Sequence, residues 1–120
     1  MKYALILLAL ASPVAAQEYA VRDSDTVPNT ADLSTLILDR DLEYFDGGTS
    51  RYNTDGTYAW TFGANNGGQT HRGTHQIGED AMVCIIYDTG AQRCDRFVQS
   101  AGRLVLLTDN GQRFPVRTIH

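Results

Sequence analysis

Glycine-containing turn motifs recur through most of this chain and restrict its fold more than any other feature. Connections this short join antiparallel strands, because parallel strands need a crossover of about a dozen residues or more. The motifs are Asp46-Gly47-Gly48, Asp55-Gly56, Asn66-Gly67-Gly68, Thr89-Gly90, Ala101-Gly102 and Asn110-Gly111. The runs between them predict strands near 42–46, 49–53, 57–63, 70–77, 81–87, 92–99, 103–108 and 112–118.

The predicted fold class is mainly β. About seven or eight antiparallel strands form a meander, and their common twist curls it into an open barrel or a bent sheet. Residues 31–120 form this single β domain, which begins with one short helix at about 31–38. Leu33, Leu36 and Ile37 share one side of that helix, Asp32 or Thr30 can cap it, and we expect it to plug the sheet. Residues 17–30 are polar and aperiodic, which is typical of a lead-in or a loose tail.

The hairpin around Asp88-Thr89-Gly90 predicts a disulfide bond. A three-residue loop with glycine in the left-handed position pairs Tyr87 with Ala91, and counting inward places Cys84 opposite Cys94. That pair falls on a non-hydrogen-bonded position, where Cα atoms lie only about 4.5 Å apart. The spacing suits a structural bridge.

The last hairpin is predicted to turn through a two-residue loop at Asn110-Gly111. This loop would place Leu107 opposite Phe114 and Val105 opposite Val116. Pro115 then marks the final strand as an edge strand, because proline cannot donate a ladder hydrogen bond.

The first sixteen residues predict a cleavable secretory signal. Lys2 precedes an apolar run at 3–11 and small residues at 13–16, so we expect cleavage after Ala16. The apolar run is shorter than the ~20 residues that cross a bilayer, so no membrane span is expected after cleavage. An exported chain with two cysteines is expected to be periplasmic or secreted.

The charge of the mature chain argues against nucleic acid as a partner. Removal of the leader also removes Lys2, the only lysine, and leaves nine arginines against fourteen acidic residues, a net charge of −5. The arginines are scattered among the acids, whereas phosphate binding needs a clustered basic face.

No motif assigns a catalytic residue, a metal or a cofactor. His71 and His75 are four residues apart, which on a strand separates them by about 13 Å, too far for one metal ion to bridge. The glycines of 64–69 (ANNGGQ) have neither the spacing nor the following helix of a dinucleotide site. A small secreted enzyme that uses His71 or His75 with a folded-in carboxylate remains an alternative.

An aromatic stripe is the best candidate for a binding surface. Tyr58, Trp60 and Phe62 alternate with small residues and therefore share one face of a strand. Inside a curled sheet this face is core, but around a cavity it would bind an apolar ligand. The polar residues considered for the rim of such a site are Arg51, Tyr52, Arg72 and Arg96.

Four motifs carry a family resemblance: Y-x-x-D-G-x-Y-x-W at 52–60, R-G-x-H-x-I at 72–77, V-C-I-x-Y at 83–87 and R-C-D-x-F-V at 93–98. From about 42 to 116 the chain resembles small exported bacterial β-meander proteins of uncharacterised, lipocalin-like type. The resemblance implies this fold and export to the periplasm of a Gram-negative bacterium, and it assigns no functional residue.

The expected function is that of a non-catalytic domain. Its expected partner is a small apolar or amphipathic ligand, or an envelope protein, held by the concave face of the sheet. A structural or inhibitory protein that acts through its hairpin loops, such as 64–69, is the further alternative.

Overall fold

The structure, a computed structural model, describes residues 18–120, so the predicted leader at 1–16 lies outside the described residues. One helix, α1 (Thr30–Ile37), precedes eight strands. The strands are β1 (Asp41–Tyr44), β2 (Thr49–Tyr52), β3 (Thr57–Thr61), β4 (Thr70–Ile77), β5 (Met82–Tyr87), β6 (Gln92–Ser100), β7 (Arg103–Leu107) and β8 (Arg113–Ile119). Two short 3-10 turns lie at Ala64–Asn66 and Glu79–Ala81.

The eight strands form a closed antiparallel barrel in which each strand pairs with its neighbours in sequence and β8 pairs with β1. The predicted mainly β class and all eight predicted strands are confirmed. The sheet closes completely, whereas the sequence left an open barrel or a bent sheet as the expectation. Closure satisfies the backbone groups that an open sheet would leave at its two edges.

Alternate residues of each strand point into the barrel and form the main core. Its largest fully buried side chains include Tyr52, Tyr58 and Phe97. His75 also belongs to this inner face, and its ring packs edge-on against Tyr52 at 5.4 Å between centroids.

Helix α1 plugs one end of the barrel. Its Leu33 and Ile37 have no solvent exposure and join the barrel core, and Leu36 packs against the same core at partial burial. The N-cap is Asn29, whose side chain accepts a hydrogen bond from the backbone N–H of Asp32 at 2.8 Å. The predicted caps, Thr30 and Asp32, are therefore wrong. The helix begins one residue earlier than expected, so both lie inside its first turn.

The β5–β6 hairpin has the predicted register. Tyr87 and Ala91 close its loop, and Cys84 pairs with Cys94. The two cysteines form a disulfide bond with 4.0 Å between their Cα atoms. Their strands already pair, so the bridge joins two backbones that the sheet brings together.

The β7–β8 hairpin differs from the prediction by one residue. Leu106 pairs with Phe114 and Val105 with Pro115, so the predicted register is wrong. A two-residue type I′ turn needs positive φ at both central residues, but of the two only Gly111 has it, at +89°. The backbone N–H of Thr108 donates to the oxygen of Gln112, and the N–H of Gln112 donates to the Thr108 hydroxyl, so these residues instead close a three-residue loop.

Strand β8 is not an edge, because it pairs with both β7 and β1. Pro115 is tolerated there for two reasons. Its pair with Val105 is non-hydrogen-bonded by alternation from the loop, so its ring nitrogen faces the β1 side. On that side the pairing of β8 with β1 ends at Tyr44 and Val116. No residue of β1 is paired with Pro115, so its missing N–H removes no hydrogen bond from the sheet.

The N-terminal segment is an ordered part of the fold. Residues 18–28, named here the N-terminal strap, lie on the outside of the barrel. Tyr19 packs on Val98, Val105 and Leu107, which form a second apolar cluster on the outer face. Thr26 exchanges two backbone hydrogen bonds with Gln99. Strand β7 is therefore buried on both faces.

Candidate functional site: the open end of the barrel

The end of the barrel opposite α1 is open and holds a cavity of about 520 Å³. This volume is within the range of small-molecule sites, about 300–1,000 Å³. Aromatic and apolar side chains make up most of its wall. The lining residues are Tyr44, Asp46, Trp60, Phe62, His71, Tyr87, Thr89, Ala91, Arg93, Leu106, Thr108, Gln112 and Phe114.

One side of the cavity is a row of aromatic rings in contact, in which Trp60 lies between Tyr44 and Phe62. The Trp60 ring lies 5.8 Å from that of Tyr44 and 5.7 Å from that of Phe62, measured between centroids. Phe62 in turn meets His71 edge-on at 5.5 Å. These rings are neighbours because β3 and its continuation send alternate residues inward. They form a wall suited to flat or apolar groups.

Gly48 makes room for the indole of Trp60. A Cβ atom at Gly48 would lie 2.4 Å from Cη2 of Trp60, a distance that would push the ring from its place. Ser50, which pairs with Trp60 across β2 and β3, is buried and hydrogen-bonded to the Tyr44 hydroxyl at 3.1 Å. Small residues on β2 and its preceding turn therefore hold the wall in one arrangement.

Gly73 has the same role at the base of the cavity. It lies between Tyr58 and Tyr87 in the strand register, and a Cβ atom there would lie 2.2 Å from the backbone oxygen of Ile86. Because Gly73 places no side chain between them, the rings of Tyr58 and Tyr87 meet edge-on at 5.9 Å. The base of the cavity is thus a closed aromatic floor.

Arg93 enters this floor from β6 as the cation among the lining residues. Its Nε donates to Oδ2 of Asp95 at 2.9 Å, and its Nη2 donates to the Tyr58 hydroxyl at 3.2 Å. Its Cζ lies 5.8 Å from the centroid of the Tyr87 ring. The side chain of Asp95 is 2% exposed and that of Arg93 is 38% exposed, so the arginine alone reaches the cavity.

Burial is the largest single influence on the pKa of each member of this pair, but it sets the direction of the shift only for Asp95. It raises the pKa of Asp95, and the charge and hydrogen bonds of Arg93 act in the opposite direction. For Arg93, burial acts to lower the pKa, but nearby groups that include Tyr58 and Asp95 outweigh it and raise the pKa overall. Arg93 therefore stays cationic under all ordinary conditions.

The structure places the predicted site residues on both sides of the barrel wall. Trp60 and Phe62 line the cavity, whereas Tyr58 and Tyr52 lie in the core beneath it. The three predicted arginines lie outside. Arg51 pairs with Asp41 at 3.2 Å, Arg96 donates to the backbone oxygen of Asp80, and Arg72 is exposed beside Ala59.

Sequence reasoning missed Arg93, although the signal for it was present. Strand alternation places residues 93, 95 and 97 on one face of β6, and the apolar Phe97 marks that face as the inner one.

The two histidines are not brought together. His71 lines the cavity and meets Phe62 edge-on, whereas Nδ1 of His75 lies 3.1 Å from the backbone oxygen of Thr57. Neither ring has a carboxylate within hydrogen-bond distance among residues 18–120. The same residues hold no cluster of three or more His, Cys, Asp or Glu side chains that could bind a metal ion.

Comparison with other proteins adds no family to these observations: no protein-family model, curated protein or solved structure matches the chain. The part of the chain that the structure describes contains a disulfide bond. Across that same part, no helix has the length and apolar character needed to cross a membrane.

Proposed function

We propose that this protein is an exported, non-catalytic binding domain that holds one small, largely apolar molecule in the open end of its barrel. The observation that carries the proposal is the cavity of about 520 Å³ with its wall of Tyr44, Trp60 and Phe62. The cavity lies at the end of the barrel that α1 does not fill, and a concave site of this kind favours a small ligand over a flat protein contact.

The rim supports entry of a ligand from solvent. Phe62 and Phe114 are each 38% exposed although both line the cavity. When a ligand covers such exposed rings, the free energy of binding becomes more favourable by roughly 25 cal/mol for each Å² of apolar surface removed from water. A ligand that spans the two rings would bury apolar surface that folding leaves exposed.

Trp60 makes the proposal directly testable, because it is the only tryptophan in the chain and lies in the cavity wall. The probe is N-phenylnaphthylamine, a neutral apolar dye whose emission rises in apolar surroundings. We expect one dye to bind per chain, with quenching of Trp60 and energy transfer to the dye.

A blocking variant and a matched control locate the binding. Ala91 lines the cavity and is exposed, so Ala91→Phe fills the entrance without entering the core. Gln92 is the next residue on the opposite face, so Gln92→Phe adds the same ring outside the barrel. We expect A91F to weaken dye binding at least about tenfold and Q92F to leave it unchanged, since about 1.4 kcal/mol corresponds to tenfold. Equal binding to both variants, or no binding to the parent protein, would refute the proposal.

We also propose that the mature protein is periplasmic or secreted and begins at Gln17. The leader pattern at 1–16 and the disulfide bond support this location. Intact-mass measurement of the protein from its own host should give the mass from residue 17 onward, less two hydrogen atoms for the bridge. Retention of residues 1–16 would overturn it.

A further inference from the structure

Arg93 has hydrogen-bond donors that the fold does not use. A guanidinium carries five N–H donors in a fixed plane. Asp95 takes the one on Nε and Tyr58 takes one on Nη2. Both N–H groups of Nη1 and the second one of Nη2 have no acceptor among residues 18–120. Two of these three donors, one on each terminal nitrogen, lie along the edge of the guanidinium that joins Nη1 and Nη2, and the third points back toward Cδ.

The fold already holds that edge in position. The buried Asp95 holds Nε and the hydroxyl of Tyr58 holds Nη2. The Cζ atom of Arg93 also lies over the ring of Tyr87. A free arginine side chain loses rotamer freedom on binding, and this loss weakens the net affinity. In this site the fold already orders the side chain of Arg93, so binding an acceptor requires little further loss of its rotamer freedom.

The chemistry of the free edge selects a carboxylate. Two parallel N–H groups match the two oxygens of a carboxylate, and such paired contacts are the stronger class of hydrogen bond. Asp95 contacts the Nε side of the guanidinium, so its negative charge lies farther from the free edge than the positive charge of Arg93 itself. Attraction therefore outweighs repulsion for an anion at the edge, because Coulomb energy falls with distance.

The remaining charges limit the ligand to one negative charge. Asp46 lines the cavity and Asp95 lies beneath it, whereas Arg93 is the lining cation in the described chain. A dianion such as a phosphate ester would therefore meet two carboxylates with a single cation for balance. The walls above Arg93 are aromatic and apolar, so the rest of the ligand must be apolar.

We infer that the ligand is an amphipathic monocarboxylate, with its carboxylate on the free edge of Arg93 and its apolar ring or chain against Trp60, Phe62 and Phe114. This inference rests on the proposed function and adds the chemical class of the ligand. It also gives the orientation, with the charged end of the ligand at the base of the cavity and the apolar end at its mouth.

A matched pair of probes tests this on the unaltered protein. Naphthalene carboxylate and its neutral amide have the same ring and nearly the same shape, and quenching of Trp60 reports both. We expect the carboxylate to bind at least about tenfold more tightly, because hydrogen bonds to charged groups are stronger than those between neutral groups. Equal affinities, or a preference for the amide, would overturn the inference and leave the proposed function standing. Failure of both probes and of the neutral dye would instead refute the proposed function.

Variants then assign the preference to Arg93. Arg93→Gln alone would leave Asp95 buried without its partner and risks unfolding, so Arg93→Gln is combined with Asp95→Asn. We expect this double variant to bind the amide as before and to lose the preference for the carboxylate. Arg51→Gln removes a charge from the outer face and should keep the full preference. A preference that persists in the double variant would overturn the role given to Arg93.

Discussion

The ion pair between Asp25 and Arg113 joins the N-terminal strap to β8, and its contribution to the free energy of unfolding depends on pH. Both oxygens of Asp25 accept from Arg113, at 2.7 and 3.0 Å. The backbone N–H of Arg22 donates a further hydrogen bond at 2.7 Å. The side chain of Asp25 has no exposure and that of Arg113 is 12% exposed. A charge held this way is costly to leave unpaired.

The hydrogen bonds from Arg113, opposed by burial and helped by the Arg22 backbone, lower the pKa of Asp25 from 3.8 to about 2. Because the folded-state pKa lies below that of the unfolded chain, ionised Asp25 stabilises the fold above pH ~4, and this contribution is lost as the pH falls toward about 2. A shift of this size corresponds to about 2 kcal/mol at neutral pH, of which about half is lost by pH ~3.

The perturbation is Asp25→Asn, and the assay is urea unfolding at several pH values. At pH 7 we expect the free energy of unfolding to fall by about 2 kcal/mol, which moves the urea midpoint by on the order of 1 to 2 M. The gap between the parent protein and D25N should narrow to about half by pH ~3. Contributions of other carboxylates cancel in this difference.

Asp23→Asn is the control, because Asp23 is an exposed carboxylate on the same strap. Its effect should stay within about 0.5 kcal/mol at every pH. Two results would refute the reasoning. One is a D25N variant as stable as the parent at pH 7, and the other is a gap that stays constant down to pH ~3. The second result would mean that the shape of the side chain, and not its charge, fastens the strap.

Three further predictions concern the barrel itself. Gly73→Ala should lower the free energy of unfolding, measured by thermal melting, by about 1–3 kcal/mol, because the added Cβ overpacks against Ile86. Gly78→Ala is the control and should change the stability little, since the nearest non-adjacent atom lies 3.9 Å from its added Cβ. Replacement of Cys84 and Cys94 by alanine should cost about 2–3 kcal/mol in urea, because the bridge closes a short loop, and an unchanged midpoint would contradict this. Tyr52→Phe removes a buried hydroxyl that has no hydrogen-bond partner among residues 18–120, so we expect equal or higher stability by calorimetry, and a clear loss would show that the hydroxyl is satisfied.

The positions of all eight strands could be predicted because they depend on information close by in the sequence. Glycine-containing turns end each run, and alternation with a period of two marks its two faces. The register of β5 and β6 follows from one loop, so the pairing of Cys84 with Cys94 could be counted from the chain alone. The same counting failed at Asn110-Gly111, because a two-residue and a three-residue loop can both contain these residues, and the sequence does not show whether Asn110 adopts a positive φ.

The candidate site could be predicted only in part, since strands distant in sequence build it. The stripe of Tyr58, Trp60 and Phe62 was visible, but the barrel divides it between a core and a cavity wall. Arg51 and Arg93 look alike in the sequence, and only the position of each on its strand separates an outward charge from an inward one.

Local sequence specifies the strands, their order and the disulfide partner, because turn chemistry and side-chain alternation act over a few residues. The closure of β8 onto β1, the filling of one end by α1 and the covering of the outside of β7 by the strap become visible only in the folded molecule. These outcomes depend on pairing and burial between segments far apart in the chain. The open end of the barrel, with Arg93 at its base, exists only after all of them are in place.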